Sequence, residues 1–424
     1  MNRFFHPRLI AFSLVFATVI AGHGQDVQYF YALAKEAYDG KDYEAFYKNI
    51  SEALKLHPFH QGILYQKGLA CALTGRDAEA IAALRTTICI DTRFDLLHAD
   101  LNSLQSLDSF NELLQLQKDL QKQVTNSDTA FVFKDKGAHI ESVAYDPVSK
   151  SFFLSSINQR KILKYHQSGN ITDFIDRGEY GMTAVFGLRT DLSKGVLWAC
   201  ASPVPEMENY DSTLKSAVYK FDLKTGKLIN KYESPSTVST VFGDLVLNGI
   251  GEVFVSDGRS NTIFKVNEAT HQLEVFFSAQ EFWNMQGIAF SKDDRYLFIA
   301  DYIKGIYRLE ISTMHLIKLP IPINHSLKGV DGLLFYQNSL IAVHNGTYPH
   351  RLMRYHLSDD NSKIIRSEVI DSAHPAFNEP TIACIADSTL YYVANSQWSA
   401  YDDQHRYKPD QAQDIVILKN LLKK

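Results

Sequence analysis

The sequence predicts an α-helical repeat domain followed by an all-β six-bladed propeller, and three features carry that expectation. The first is a short strand phrase met six times: Ile162-Leu-Lys-Tyr165, Val218-Tyr-Lys-Phe221, Ile263-Phe-Lys-Val266, Ile306-Tyr-Arg-Leu309, Leu352-Met-Arg-Tyr355 and Ile415-Val-Ile-Leu418. Its bulky β-formers, usually with a cation in third place, suit a half-buried strand. The second is an earlier strand in each unit, starting at Val143, Leu188, Leu245, Ile288, Leu333 and Ile382. These starts lie 45, 57, 43, 45 and 49 residues apart, which is the period of a four-stranded blade. The third is a change of pattern. From Asp26 to about Val124, apolar and small residues recur at three- and four-residue spacing, the mark of helices.

Composition agrees with a folded chain of more than one domain. The 424 residues are 45% hydrophobic and 12% aromatic, enough for large cores. A formal charge of -5 and the lack of a basic stretch argue against nucleic-acid binding. At the N-terminus, Arg3 and Arg8 precede an apolar run of 13 residues at 9–21, with small residues at Ala21, Gly22 and Gly24. This pattern predicts an export signal over 1–24, hence a periplasmic or secreted protein with no membrane attachment after cleavage. An uncleaved anchor is the alternative, although the run is short for a bilayer. Cys71, Cys89, Cys200 and Cys384 sit in apolar surroundings without metal-ligand spacing. Buried thiols are the plain reading, and a Cys71–Cys89 bridge is the other one.

The helical domain is expected over 25–124. Gly40 and Gly75 fall between helices. At an offset of 34 residues, Phe46 matches Ala80, Ile50 matches Leu84, Ala53 matches Thr87 and Pro58 matches Thr92. The offset resembles the tetratricopeptide repeat, as do the small residues Gly68 and Ala80 where helices cross. A third, weaker pair is expected over 93–124, with Ser109 and Glu112 as a capping box for its last helix. Such helices stack because none buries its apolar face alone. Two uses stay open: a surface for a peptide or protein partner, or a structural cap.

After a short polar link at 125–128, Thr129-Ala-Phe-Val-Phe-Lys134 reads as a strand standing before the first blade. Blade six has no outer strand of its own after Leu418, so 129–134 is expected to complete it and close a propeller spanning 129–420. Antiparallel topology then places three sets of residues at one mouth of the axis. Just before the innermost strands stand Glu141, Phe186, Gly243-Asp244, Gln286, Asp331 and Glu379-Pro380. After the second strands come Ser156, Cys200, Asp257, Asp301, His344 and Asn395. Two long insertions, 201–215 and 396–413, complete the mouth. Long loops on a rigid scaffold are where binding concentrates.

Three phrases, His139-Ile-Glu-Ser-Val-Ala-Tyr-Asp-Pro147, Gln286-Gly-Ile-Ala-Phe-Ser-Lys-Asp-Asp294 and Val330-Asp-Gly-Leu333, resemble the senescence marker protein, gluconolactonase and luciferin-regenerating enzyme family. The resemblance covers roughly 139–420 and omits the helical domain. It implies a divalent metal, most often calcium, held on the axis by Glu141, Gln286 and Asp331, and hydrolysis of a small lactone or ester. Gln286 stands where the family has Asn, and the family's substrate-holding arginine has no match before blade three. Oxygen ligands of this kind suit calcium, and such an ion polarises a carbonyl. Asp331 and His344 are the candidate catalytic residues. Asp244, Asp257, Asp301, His139 and Asn395 are the candidate substrate contacts. The alternative function is a non-enzymatic protein- or ligand-binding module using the propeller mouth and the helical repeats.

Overall fold

The computed structural model describes residues 23–423, so the expected export signal lies almost wholly outside it. Contacts divide the chain into two units, one ending at Leu120 and the other starting at Gln121.

In the first unit, helices α1 (His23–Asp39), α2 (Tyr43–Leu56), α3 (Gln61–Leu73) and α4 (Asp77–Ile90) form two antiparallel pairs, followed by a 3₁₀ turn at Ala99–Leu104 and helix α5 (Asp108–Leu120). Helix α4 repeats α2 at a 34-residue offset at both ends. The matched positions Phe46, Ile50 and Ala53 on α2, and Ala80, Leu84 and Thr87 on α4, are all buried, which is the packing that the offset requires. Gly68 lies against α4: a Cβ there would sit 2.6 Å from Leu84 Cδ2. Only glycine permits this approach, because neighbouring core atoms have no room to give. The third pair departs from expectation. Its first member is the 3₁₀ turn, and α5 already begins at Asp108, so Ser109 lies inside the first turn instead of capping it. All four cysteines are buried thiols, and no Cys71–Cys89 bridge is formed.

The second unit is a ring of six sheets. Blades one to four run in sequence order from Ile140–Asp146, Ala184–Asp191, Phe242–Leu247 and Met285–Phe290 at the axis to Ile171–Ile175, Leu228–Glu233, Gln272–Ser278 and His315–Lys318 outside. Innermost strands are buried on both faces, and the core consists of apolar layers between adjacent blades, such as Leu188 and Tyr219 with Phe153 and Ile162. Blade six has three strands from the C-terminal end of the chain, and its outer strand is Asp128–Phe133, antiparallel to Ile415–Leu421 with Phe131 opposite Ile417 and Phe133 opposite Ile415. Phe131 stacks on Tyr165 of blade one at 3.8 Å between ring centroids.

The link before this strand is more ordered than its polar composition suggests. Val124–Thr125 adds a fifth strand to blade five, opposite Ser372 and Asp371. The buried Asp371 carboxylate then accepts the N–H groups of Asn126 and Ser127 at 2.8 and 3.1 Å, the Ser127 hydroxyl, and the Tyr392 hydroxyl at 2.8 Å. One carboxylate thus ties the incoming chain to blades five and six. Replacing Phe131 by Ala should cost about 3–5 kcal/mol by emptying the seam between blades six and one. Urea unfolding followed by circular dichroism measures it, and a loss below about 1 kcal/mol would mean that the seam does not hold the ring.

Candidate functional site

Five innermost strands break register at the same step, between Ile140 and Val143, Val185 and Leu188, Phe242 and Leu245, Met285 and Ile288, and Val330 and Leu333. The residues caught in these bulges are Glu141-Ser142, Phe186-Gly187, Gly243-Asp244, Gln286-Gly287 and Asp331-Gly332. A bulge re-aims side chains and bends its strand, which turns one residue of each blade out of the regular alternation. The glycines let the blades converge. A Cβ on Gly287 would meet the Asp331 carbonyl oxygen and the Leu333 nitrogen, both at 2.5 Å.

Glu141 and Asp331 are brought together. The Thr381 hydroxyl of blade six lies 3.2 Å from Glu141 Oε1 and 3.0 Å from Asp331 Oδ2. It has a single proton to give, so one of the two carboxyls lacks that donor whenever the other receives it. On its other oxygen, Glu141 accepts the Ser396 hydroxyl and, at 3.1 Å, the Trp398 indole N–H. Asp331 Oδ2 also accepts from Asn345 Nδ2 at 2.6 Å. Burial and the neighbouring Glu141 push the Asp331 carboxyl up to about 8, so it keeps its proton at neutral pH. Glu379 belongs to the same group: burial, and then Glu141, push it up to about 7 against the Ser399 N–H bond. Tyr302 is held protonated, first by burial and then by Asp331, Glu379 and Glu141.

His139 extends this group through a chain of bonds. Its Nδ1 lies 2.8 Å from the Tyr401 hydroxyl and its Nε2 2.8 Å from Ser396 Oγ. With Ser396 donating to Glu141, the order that satisfies every atom is Tyr401 O–H to Nδ1, Nε2–H to Ser396, and Ser396 O–H to Glu141.

Gln286 is engaged elsewhere. Its amide N–H donates to Asn284 Oδ1 at 2.7 Å, and its Oε1 faces Gly243. Glu141 is surrounded by O–H and N–H donors, whose hydrogens fill the lone pairs a cation needs. Among the described residues, no three His, Cys, Asp or Glu side chains are grouped to hold a metal ion. As arranged, Glu141 and Asp331 meet at Thr381 while the Gln286 amide is bonded to Asn284, so the three side chains are spent on other partners.

The other expected contacts serve different ends. Asp244 pairs with Arg189 Nη2 at 2.9 Å, and burial still raises it to about 6. Arg189, on the innermost strand of blade two, is a charged residue of the axis that the sequence reading passed over, since it sits after the bulge instead of before the strand. Asp257 accepts the N–H groups of Val241 and Arg259 and the Ser260 hydroxyl. Asp301 accepts four N–H groups, from Trp283, Asn284, Ile303 and Lys304. Asn395 bonds the Asp414 carbonyl and the Val416 N–H. His344 has both ring nitrogens occupied, by Lys328 O at 3.1 Å and Tyr355 O–H at 2.9 Å, and burial drives it down to about 3. It has no free nitrogen for proton transfer.

No family model and no curated protein matches the chain. Solved structures do. A catalytically inactive virginiamycin B lyase from Staphylococcus aureus is 15% identical with a TM-score of 0.47, over 68% of this chain and 83% of that one. A gluconolactonase from Xanthomonas campestris is 11% identical with a TM-score of 0.47, over 71% and 92%. A luciferin-regenerating enzyme is 12% identical with a TM-score of 0.48, over 68% and 95%. The likeness is one of fold.

Two measurements follow. Calcium should leave the melting temperature unchanged, because no preformed set of ligands rewards its binding; a rise with calcium concentration would restore the three-ligand site. The second concerns protons. Because the native Asp331 carboxyl titrates well above its unfolded value, it favours the fold fully below about pH 4 and loses that advantage up to about pH 8. Asp331→Asn should therefore gain stability relative to wild type as pH rises across that window. Thermal melts of both proteins at pH 4.5 and 8 decide it, and a pH-independent difference would contradict the assignment.

Proposed function

We propose that the propeller hydrolyses a small lactone or ester at the axial carboxyl cluster, in a protein exported from the cytoplasm. The observation that supports this is the Thr381 hydroxyl set between Glu141 and Asp331, which joins the two axial carboxyls, one of them held protonated. Carboxyls perturbed by burial and a neighbouring like charge cluster at functional sites. Glu141 is buried, whereas Asp331, Asn345 and Tyr302 are only half-buried, so a ligand would meet the cluster from the Asp331 side. There Asp331 donates its proton to the leaving oxygen as the acyl–oxygen bond breaks. Water adds its oxygen to the carbonyl carbon, and the proton it loses returns to Asp331, so the cycle closes on one carboxyl. Burial, and then the neighbouring Glu141, keep that proton on Asp331. No step is assigned to a metal.

A non-enzymatic binding module is the second reading. It draws on Trp398, whose ring stacks near Phe186 at 6.4 Å and whose N–H occupies Glu141. In that case the helical unit supplies a peptide- or protein-binding surface and the mouth a ligand pocket.

The test is turnover of γ-butyrolactone and p-nitrophenyl acetate by the full chain. Wild-type hydrolysis should fall as pH rises through about 8, where Asp331 loses its proton. Asp331→Asn should lower kcat/KM by about 10²–10⁴-fold with the fold retained. If wild type and variant turn over both probes equally, or neither does so above background, the binding module is the better description.

A further inference from the structure

The insertion at 396–413 is built as a separate device. Its two ends are stitched together at a neck: Gln397 Nε2 donates to the Gln413 carbonyl at 3.0 Å, Gln397 Oε1 accepts the Gln413 N–H at 2.5 Å, and Asn395 bonds Asp414 and Val416. Beyond the neck it is folded on itself by the bridge between Tyr401 and Tyr407 and by Asp402, which gathers Arg406 and Lys408. Gln397 holds a left-handed backbone, with φ of +71°, a conformation that residues other than glycine adopt only when surroundings impose it. That turn sends Trp398 inward, where its indole N–H reaches Glu141. At the far end, His405 Nδ1 donates to Glu206 Oε1 at 2.8 Å, and Glu206 is a buried residue of the other long insertion, 201–215.

We propose that 396–413 is an autoinhibitory lid: its neck is the hinge, the His405–Glu206 contact is its latch, and Trp398 plugs the axial carboxyl cluster. Opening requires breaking the latch bond and the bonds of Tyr401 to His139 and of Ser399 to Glu379, and exchanging the indole N–H on Glu141 for water. The blades need not move, because the Gln397–Gln413 pair closes the neck just outside blade six, where Asn395 is anchored to Val416 of its strand. The inhibitory half of this inference rests on the hydrolase reading; the mechanical half does not.

Hydrogen–deuterium exchange on the full chain tests the latch without any substrate. His405→Ala and Glu206→Gln should each raise exchange of the 396–413 amides by about tenfold, the effect of losing one charge-assisted hydrogen bond on an opening equilibrium, with blade strands unchanged. Wild-type exchange in the lid of both variants would overturn the proposal, and so would acceleration spread evenly through the blades. Trp398→Phe tests the plug, since it keeps an aromatic ring but removes the N–H on Glu141. It should raise the rate constant for p-nitrophenyl acetate without altering lid exchange. Unchanged or lower turnover in that variant would overturn the plug. Lack of turnover in every variant, with faster lid exchange after latch mutation, would remove the hydrolase reading and leave the lid standing.

Discussion

Everything at the axis depends on the pairing of Asp128–Phe133 with Ile415–Leu421. The inner strands converge only because the six sheets are held in a closed circle, and this antiparallel pair is the join. It covers the free edge of Ile415–Leu421, which would otherwise stand open for pairing with another chain. The Asp371 carboxylate supports the join by supplying acceptors to the two backbone N–H groups that approach it. A buried carboxylate is costly without partners, and here it has four donors from two stretches of chain.

Closure sets a second constraint, that of room. Six blades leave little space at the centre, and glycine at the bulges of blades two to five is how the chain meets it. The same bulges turn Glu141, Asp244, Gln286 and Asp331 out of the regular strand alternation. Concentrating carboxyls there opposes stability, and the structure offsets the cost in different ways. Asp244 has Arg189; Glu141 has three hydrogen-bond donors; Asp331 and Glu379 hold protons near neutral pH. Protons held by Asp331 and Glu379 make the site sensitive to pH.

Much of the fold was legible in the sequence because it is repetitive. The Ile-Phe-Lys-Val phrases reveal blade spacing, and the 34-residue offset marks the buried face shared by α2 and α4. The convergence of Glu141 and Asp331 was legible too, through their common place before innermost strands. Gln286 shows where such reasoning stops: position along a strand fixes where Cα sits, but the long amide chooses among local partners and takes Asn284. Asp257, Asp301 and His344 fail similarly, since a polar residue at a strand end serves the backbone N–H and C=O groups of the next turn unless something stronger competes. Arg189, Thr381 and Trp398 were silent because their importance arises from residues brought near by the ring. Neither the Thr381 hydroxyl nor the Trp398 indole has any local sequence mark that aims it at Glu141.

The staple at Asp371 also has a consequence in time. Asn126 and Asp371 lie 245 residues apart in sequence. During synthesis, the segment that will finish the ring leaves the ribosome before any blade exists, and it must wait unpaired while nearly the whole propeller is made. Closing so long a loop adds little entropy cost, because that cost grows only with the logarithm of length. Delay is the harder problem. Until Ile415–Leu421 arrives, Asp128–Phe133 is an apolar strand without its partner, and an unpaired strand of this kind is prone to pair with other chains.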